Sequence, residues 1–149
     1  MRASFLVAVV LLAPSPVFAG WGHAEWGMSR EQITSVRGET PVTQNGEFDS
    51  YEGSVGAFAV ELSYKFNGSG LIGIEINPKD ATECGRFETA IREIYGAPFL
   101  KDDGRYVAAE KWHDDGNGNL VSLFSLKADE TVSCHVMYEP LHLPNSGGF

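Results

Sequence analysis

Phe58-Ala59-Val60-Glu61-Leu62-Ser63-Tyr64-Lys65-Phe66 alternates apolar and wetter residues without a break. Period two over nine residues is the pattern of a strand with one face in a core and one in water. Asn67-Gly68-Ser69-Gly70 follows as a turn, and Leu71 to Asn77 returns as a strand with Ile72, Ile74 and Ile76 on one side. Together they read as a β-hairpin.

Upstream, Gly27-Met28-Ser29-Arg30-Glu31-Gln32-Ile33 carries a capping box, Ser29 with Gln32 three residues later. Met28 and Ile33 are placed for a hydrophobic staple, and Gly38 is the expected left-handed stop. The spacing predicts a short helix over Arg30 to Arg37. Its narrow apolar stripe cannot hold it in water alone, so it must lie on a sheet. Residues 39 to 50, with Pro41, Asn45 and Gly46, read as a loop, and Tyr51 to Val55 as a weak strand.

Downstream, Pro78 stops the hairpin, and Asp80 with Glu83 offers a second capping box. Cys84, Phe87, Ile91, Ile94 and Tyr95 share one helical face, ended by Gly96 and Pro98. Lys101 to Arg105 reads as a charged turn. Tyr106 to His113, Leu120 to Leu126 and Val132 to Tyr138 read as strands, the last with Val132, Cys134, Val136 and Tyr138 on one face. Residues 139 to 149 hold two prolines and Gly147-Gly148 and read as a loose tail.

The two halves rhyme. Each has a capped helix closed by Gly and soon followed by Pro, then a hairpin with an Asn/Gly turn. Pseudo-repeats over about 26–77 and 80–138 therefore imply one α+β domain over 20–138. The expected architecture is an antiparallel sheet with two helices packed on one face.

The first 19 residues read differently. One charge at Arg2, an apolar run from Phe5 to Leu12 and Val17-Phe18-Ala19 form the pattern of a secretory signal peptide. Its removal leaves 130 residues and moves the net charge from −9 to −10. The apolar run is too short to span a bilayer. The composition argues against a large multidomain assembly, a membrane-spanning protein and a basic nucleic-acid binder. Export to the periplasm or medium makes a disulfide the simplest use of Cys84 and Cys134, with two buried free thiols the alternative. No cysteine stands directly after the leader, so no lipid-bearing N-terminal cysteine and no membrane anchor is expected.

Gly27-Met28-Ser29-x-x-Gln32-Ile33, Gly38-x-x-Pro41 and the Asn67–Gly70 turn resemble the SmpA/OmlA group of small envelope lipoproteins of the outer-membrane barrel-assembly machinery. The resemblance covers about residues 26 to 77. The spacing from Gly38 to Pro41 is one residue longer than the group's pattern, and the lipid-bearing cysteine is missing. The tandem arrangement is similar to the β-lactamase inhibitory protein family, whose two related helix-and-sheet units carry a binding surface. The resemblance implies a fold unit and protein binding; its motifs carry no catalytic residue.

Residue chemistry points the same way. His23, His113, His135 and His142 lack metal-ligand spacing, and no metal or cofactor is expected. His113 to Asn119 fails the calcium-loop pattern in both registers and reads as a hairpin turn. Glu61 and Glu75 lie on strands expected to pair, without a spacing that marks catalysis. No Gly-x-Ser-x-Gly motif or phosphate-cradling loop is present. Trp26 and Trp112 read as core residues. Phe48, Asp49 and Tyr51, aromatic and acidic on the long loop, offer a candidate partner surface, with a loop that covers the sheet edge the alternative. The expectation is an exported, soluble, non-enzymatic protein-binding module (inhibitor, immunity-type or envelope adaptor) for another exported or envelope protein. The alternative is a small-ligand-binding or hydrolytic protein using a helix–sheet cleft.

Overall fold

The computed structural model describes residues 22–128 and 131–142. The leader read over residues 1–19 and the tail beyond His142 lie outside these. The chain forms helix α1 (Arg30–Arg37), strands β1 (Thr43–Asn45), β2 (Phe48–Val55), β3 (Phe58–Asn67) and β4 (Gly70–Pro78), and a 3-10 turn at Ala81–Glu83. Helix α2 (Cys84–Tyr95) follows, then β5 (Leu100–Asp103), β6 (Val107–Asp114), β7 (Asn119–Ala128) and β8 (Thr131–Pro140). Among the described residues, all eight strands belong to one antiparallel sheet in the order β1-β2-β3-β4-β8-β7-β6-β5.

This corrects the α+β expectation. Helices of 8 and 12 residues stand beside strands of up to 10 residues. The fold is dominated by its sheet, and the helices are short covers rather than a second layer. The expectation undercounted strands because the missing ones are edge strands. β1 falls in the stretch read as a loop, and β5 in the stretch read as a charged turn. Every residue of both is exposed, so neither carries apolar alternation. β2 also begins three residues earlier than the weak strand expected from Tyr51.

Outward from the central β4–β8 pair, each half presents two long strands, then a short edge strand. Two rows of directly opposed residues form the core. One runs Asp49, Tyr64, Ile74, Tyr138, Val121, Trp112; the other Tyr51, Leu62, Ile76, Val136, Leu123, Glu110. All twelve are buried. Each row ends in an acid on one side and an aromatic on the other, so the halves correspond about the middle of the sheet.

α1 matches its sequence signals. Ser29 accepts from the Gln32 amide at 3.2 Å, and the Gln32 side chain accepts from the Ser29 amide at 2.8 Å. Gly38 takes φ 69°, a left-handed geometry that costs glycine little. Ile33 is fully buried. α2 departs from expectation. Asp80 accepts from Thr82 and caps the 3-10 turn, while α2 starts at Cys84 with no side-chain cap. Cys84, Phe87 and Ile91 are buried, but Ile94, at the margin of the stripe, is 67% exposed. Cys84 is bonded to Cys134 of β8, which ties helix to sheet.

Three smaller differences have local causes. The β3–β4 register shifts at Lys65/Phe66, so Leu71 turns into the core and Ile72 is only half-buried. Val132 is 44% exposed, since the first three residues of β8 stand clear of the core. β8 runs through Pro140, two residues into the stretch read as tail. Upstream of α1, Gly27 donates to the Leu71 carbonyl at 2.9 Å and Leu71 to the Met28 carbonyl at 2.8 Å. Trp26 is half-buried against the core, and its indole donates to Asn119 Oδ1 at 3.1 Å. The segment thus links the two halves of the sheet.

Candidate functional site: the open face of the sheet

Side chains alternate across a strand, so the pairing register assigns every residue to one of two faces. The side-chain hydrogen bonds and ring contacts of α1 and α2 with the strands fall on one face: Thr34 with Tyr51, Arg37 with Tyr64, Arg92 with Glu110 and Tyr95 with Tyr138. The other face has no helix over it among the described residues.

One row of directly opposed residues crosses that open face through all eight strands. It reads Thr43, Ser50, Ser63, Glu75, Met137, Ser122, Lys111, Leu100. Ser50 and Ser63 share a hydrogen bond of 3.0 Å. Ser63 and Ser122 of this row are 8% and 1% exposed.

The halves of this face differ in chemistry. On β6 to β8, Ala109, Phe124 and His135 oppose one another, and Val107 opposes Leu126. The Phe124 and His135 rings stack at 5.0 Å. With Met137 they make a half-buried apolar patch, continued by the more exposed Val107 and Leu126. On β2 to β4, Glu52 directly opposes Glu61, and Glu75 lies diagonally from Glu61. Lys79 pairs with Glu52, Ser63 is 3.5 Å from Glu61, and Asn77 donates to Glu75 at 3.0 Å. Like charges directly opposed on a sheet are unfavourable by a few tenths to about 1 kcal/mol. A basic partner would relieve that repulsion.

The candidate partner surface read from sequence is corrected. Asp49 is 0% and Tyr51 1% exposed. Arg30 lies over Asp49, and the Arg37 guanidinium stacks 4.4 Å from the Tyr51 ring, so both belong to the helix-covered side. Phe48, one residue away in register, is on the open face, half-buried, with Lys65 5.7 Å from its ring centre. Strand alternation splits the three apart. Glu61 and Glu75 do share a face, as solvated strand charges. His113 stacks on Phe99 at 4.2 Å rather than joining another histidine. Asn117 donates to the Asp114 carboxylate at 2.9 and 3.0 Å, closing the 114–119 turn internally. No group of three or more metal-capable side chains occurs among the described residues.

Sequence reading passed over Phe124 and Met137 and weighed His135 only as a metal ligand. The available signal was the run Leu120-Val121-Ser122-Leu123-Phe124-Ser125-Leu126, apolar on both faces. A strand with only one buried face does not need Leu120, Phe124 and Leu126 on the other. No helix among the described residues is long and apolar enough to cross a membrane. No protein-family model, no curated protein and no solved structure matches the chain.

Proposed function

We propose that this chain is an exported, non-catalytic protein-binding module of inhibitor, immunity or envelope-adaptor type, working in the periplasm or outside the cell. It presents the open sheet face to a partner protein with a basic patch beside an apolar knob. The observation that carries the reading is the division of that face into an apolar aromatic half around Phe124, His135 and Met137 and a carboxylate half around Glu52, Glu61 and Glu75. Aromatic anchors with a charged surround are the usual make-up of a binding hot spot.

Other parts of the molecule support this choice of surface. Both sheet edges are short, and β5 carries Lys101, Asp102 and Asp103, which discourage pairing with another strand. Recognition through a face is therefore favoured over strand addition. The buried disulfide is consistent with an oxidising compartment. The resemblance of residues 26 to 77 to the SmpA/OmlA unit supports a protein-binding role in the envelope.

Site-specific photocrosslinking tests the proposal. A photoreactive residue at Met137 should give one discrete adduct in envelope extract, and the same group at Ile94 on α2 should not. Adduct yield at Met137 should fall with Glu61→Lys and with rising salt, as charge steering requires. Equal labelling from both positions, or no adduct from Met137, would overturn it.

A further inference from the structure

The helix-covered face is not fully covered. Beside α2, over β5 to β7, lies a polar cleft of about 100 Å³ that includes Glu88, Arg92, Lys101 and Glu110 in its walls. It continues into a second of about 110 Å³ through Asp103, Ala108, Ser125 and Lys127, which line both. Glu110 and Ser125 are 7% and 6% exposed. Arg92 Nε donates to Glu110 Oε2 at 2.7 Å, and Ser125 donates to Glu88 Oε1 at 2.7 Å. These bonds fix the inner carboxylates in place. Lys101 is 3.8 Å from Asp103, and Lys127 has no ion-pair partner among the described residues.

We propose that this cleft binds a small zwitterion of the α-amino-acid class, with its ammonium toward Glu110 and its carboxylate toward Lys127 and Lys101. The charge pattern sets the class. A simple anion would lie against Glu110 and Asp103, and a simple cation would leave Lys127 uncompensated. A molecule carrying both charges meets both ends, and charge-assisted hydrogen bonds in a partly desolvated site are the strong kind. The size sets the limit: sites for nucleotides and drug-sized ligands run to about 300 Å³ or more.

The corresponding place in the first half holds a groove beside α1, but its acid does not reach that groove. Asp49, the register counterpart of Glu110, is fully buried beneath Arg30 and does not line the groove beside it. Repetition of strand order therefore does not by itself produce the cleft. This inference does not depend on the protein-binding reading, which concerns the opposite face.

Amide chemical shifts of the full, oxidised chain titrated with glycine test it, with methylamine and acetate as its two charged halves. Glycine should shift β5–β7 amides saturably, and each half should bind at least about tenfold more weakly. Lys127→Met, a change at an exposed side chain, should weaken glycine at least about tenfold while the rest of the spectrum is unchanged. Lys101→Met should weaken it in the same direction. No saturable shift at about 10 mM glycine, equal shifts from acetate alone, or unchanged affinity in both lysine variants would overturn the proposal.

Discussion

Asp49 and Glu110 occupy corresponding places in the two halves of the sheet, each an acid at the end of a core row and each held by an arginine from its own helix. Their surroundings differ. Asp49 is fully buried, and its second oxygen has no hydrogen-bond partner, whereas Glu110 borders a polar cleft. Removing one partner of a buried pair leaves an uncompensated charge, at a cost of about 3–5 kcal/mol.

Arg30→Met should therefore lower stability by about 3–5 kcal/mol, and Arg92→Met by about 1–2 kcal/mol, because water in the cleft can solvate Glu110. Urea unfolding midpoints measure both. Replacing Asp49 together with Arg30 by apolar residues should recover much of the first loss. Equal losses in the two arginine variants would show that the two acids are buried alike.

The Cys84–Cys134 bond closes a separation of 50 residues and joins α2 to β8, with the two cysteines 2% and 4% exposed. A loop of this length contributes up to about 4 kcal/mol by restricting the unfolded chain. Cys84→Ser/Cys134→Ser should lose about 2–4 kcal/mol. Because both cysteines are buried, reductant should attack the native protein only as fast as the chain opens. Alkylation in denaturant without reductant, followed by intact mass, should detect no modified cysteine, and two once reductant is added. Free thiols in the native protein would refute the pairing.

The elements best read from sequence are those whose local chemistry and burial agree. Ser29, Gln32 and Gly38 mark both ends of α1, and the alternation from Phe58 to Phe66 marks β3, because cap, stop and apolar face all appear in the residues themselves. β1 and β5 bury nothing and so leave no periodic trace. The inward position of β2 at Asp49 is an acid neutralised by Arg30, 19 residues away, a relation that no local pattern contains. The same blindness misplaced the partner surface. Phe48, Asp49 and Tyr51 look alike as a loop but alternate between faces once β2 is a strand. Phe124, His135 and Met137 come together only when β7 and β8 pair.

Gly70 illustrates a close approach that sequence shows only as a turn glycine. It takes φ 98°, and a β-carbon there would overlap the Gly27 carbonyl. Backbone cannot yield as a flexible side-chain tip can, and the left-handed geometry adds strain of about 1 kcal/mol or more for a residue other than glycine. Gly70→Ala should cost about 2–4 kcal/mol and loosen the Gly27–Met28 segment from Leu71. Gly68→Ala in the same turn, with open space around it, should cost under about 1 kcal/mol. Thermal melts, with hydrogen exchange at Gly27 and Leu71, distinguish the two. Comparable losses would place the constraint in the turn itself rather than in its contact with residue 27.

Three tyrosines, Tyr64 and Tyr138 buried and Tyr95 half-buried, give the fold an alkaline limit. Burial pushes the Tyr138 phenol far above the ordinary tyrosine value, and its hydrogen bond with Tyr95, at 3.1 Å, raises it further. Burial also raises Tyr95, where the bond to Tyr138 acts in the opposite sense, and raises Tyr64 against the lowering influence of Arg37. A folded-state value above the unfolded one means that the unfolded chain releases its protons first as pH rises. Stability is therefore full below about pH 10, the unfolded tyrosine value, and falls above it. Urea midpoints from pH 8 upward should hold level and then decline beyond about pH 10. Tyr138→Phe removes the most strongly shifted group, so its decline should be shallower even though its midpoint at pH 8 is lower. An identical alkaline slope in that variant would assign the loss to other groups.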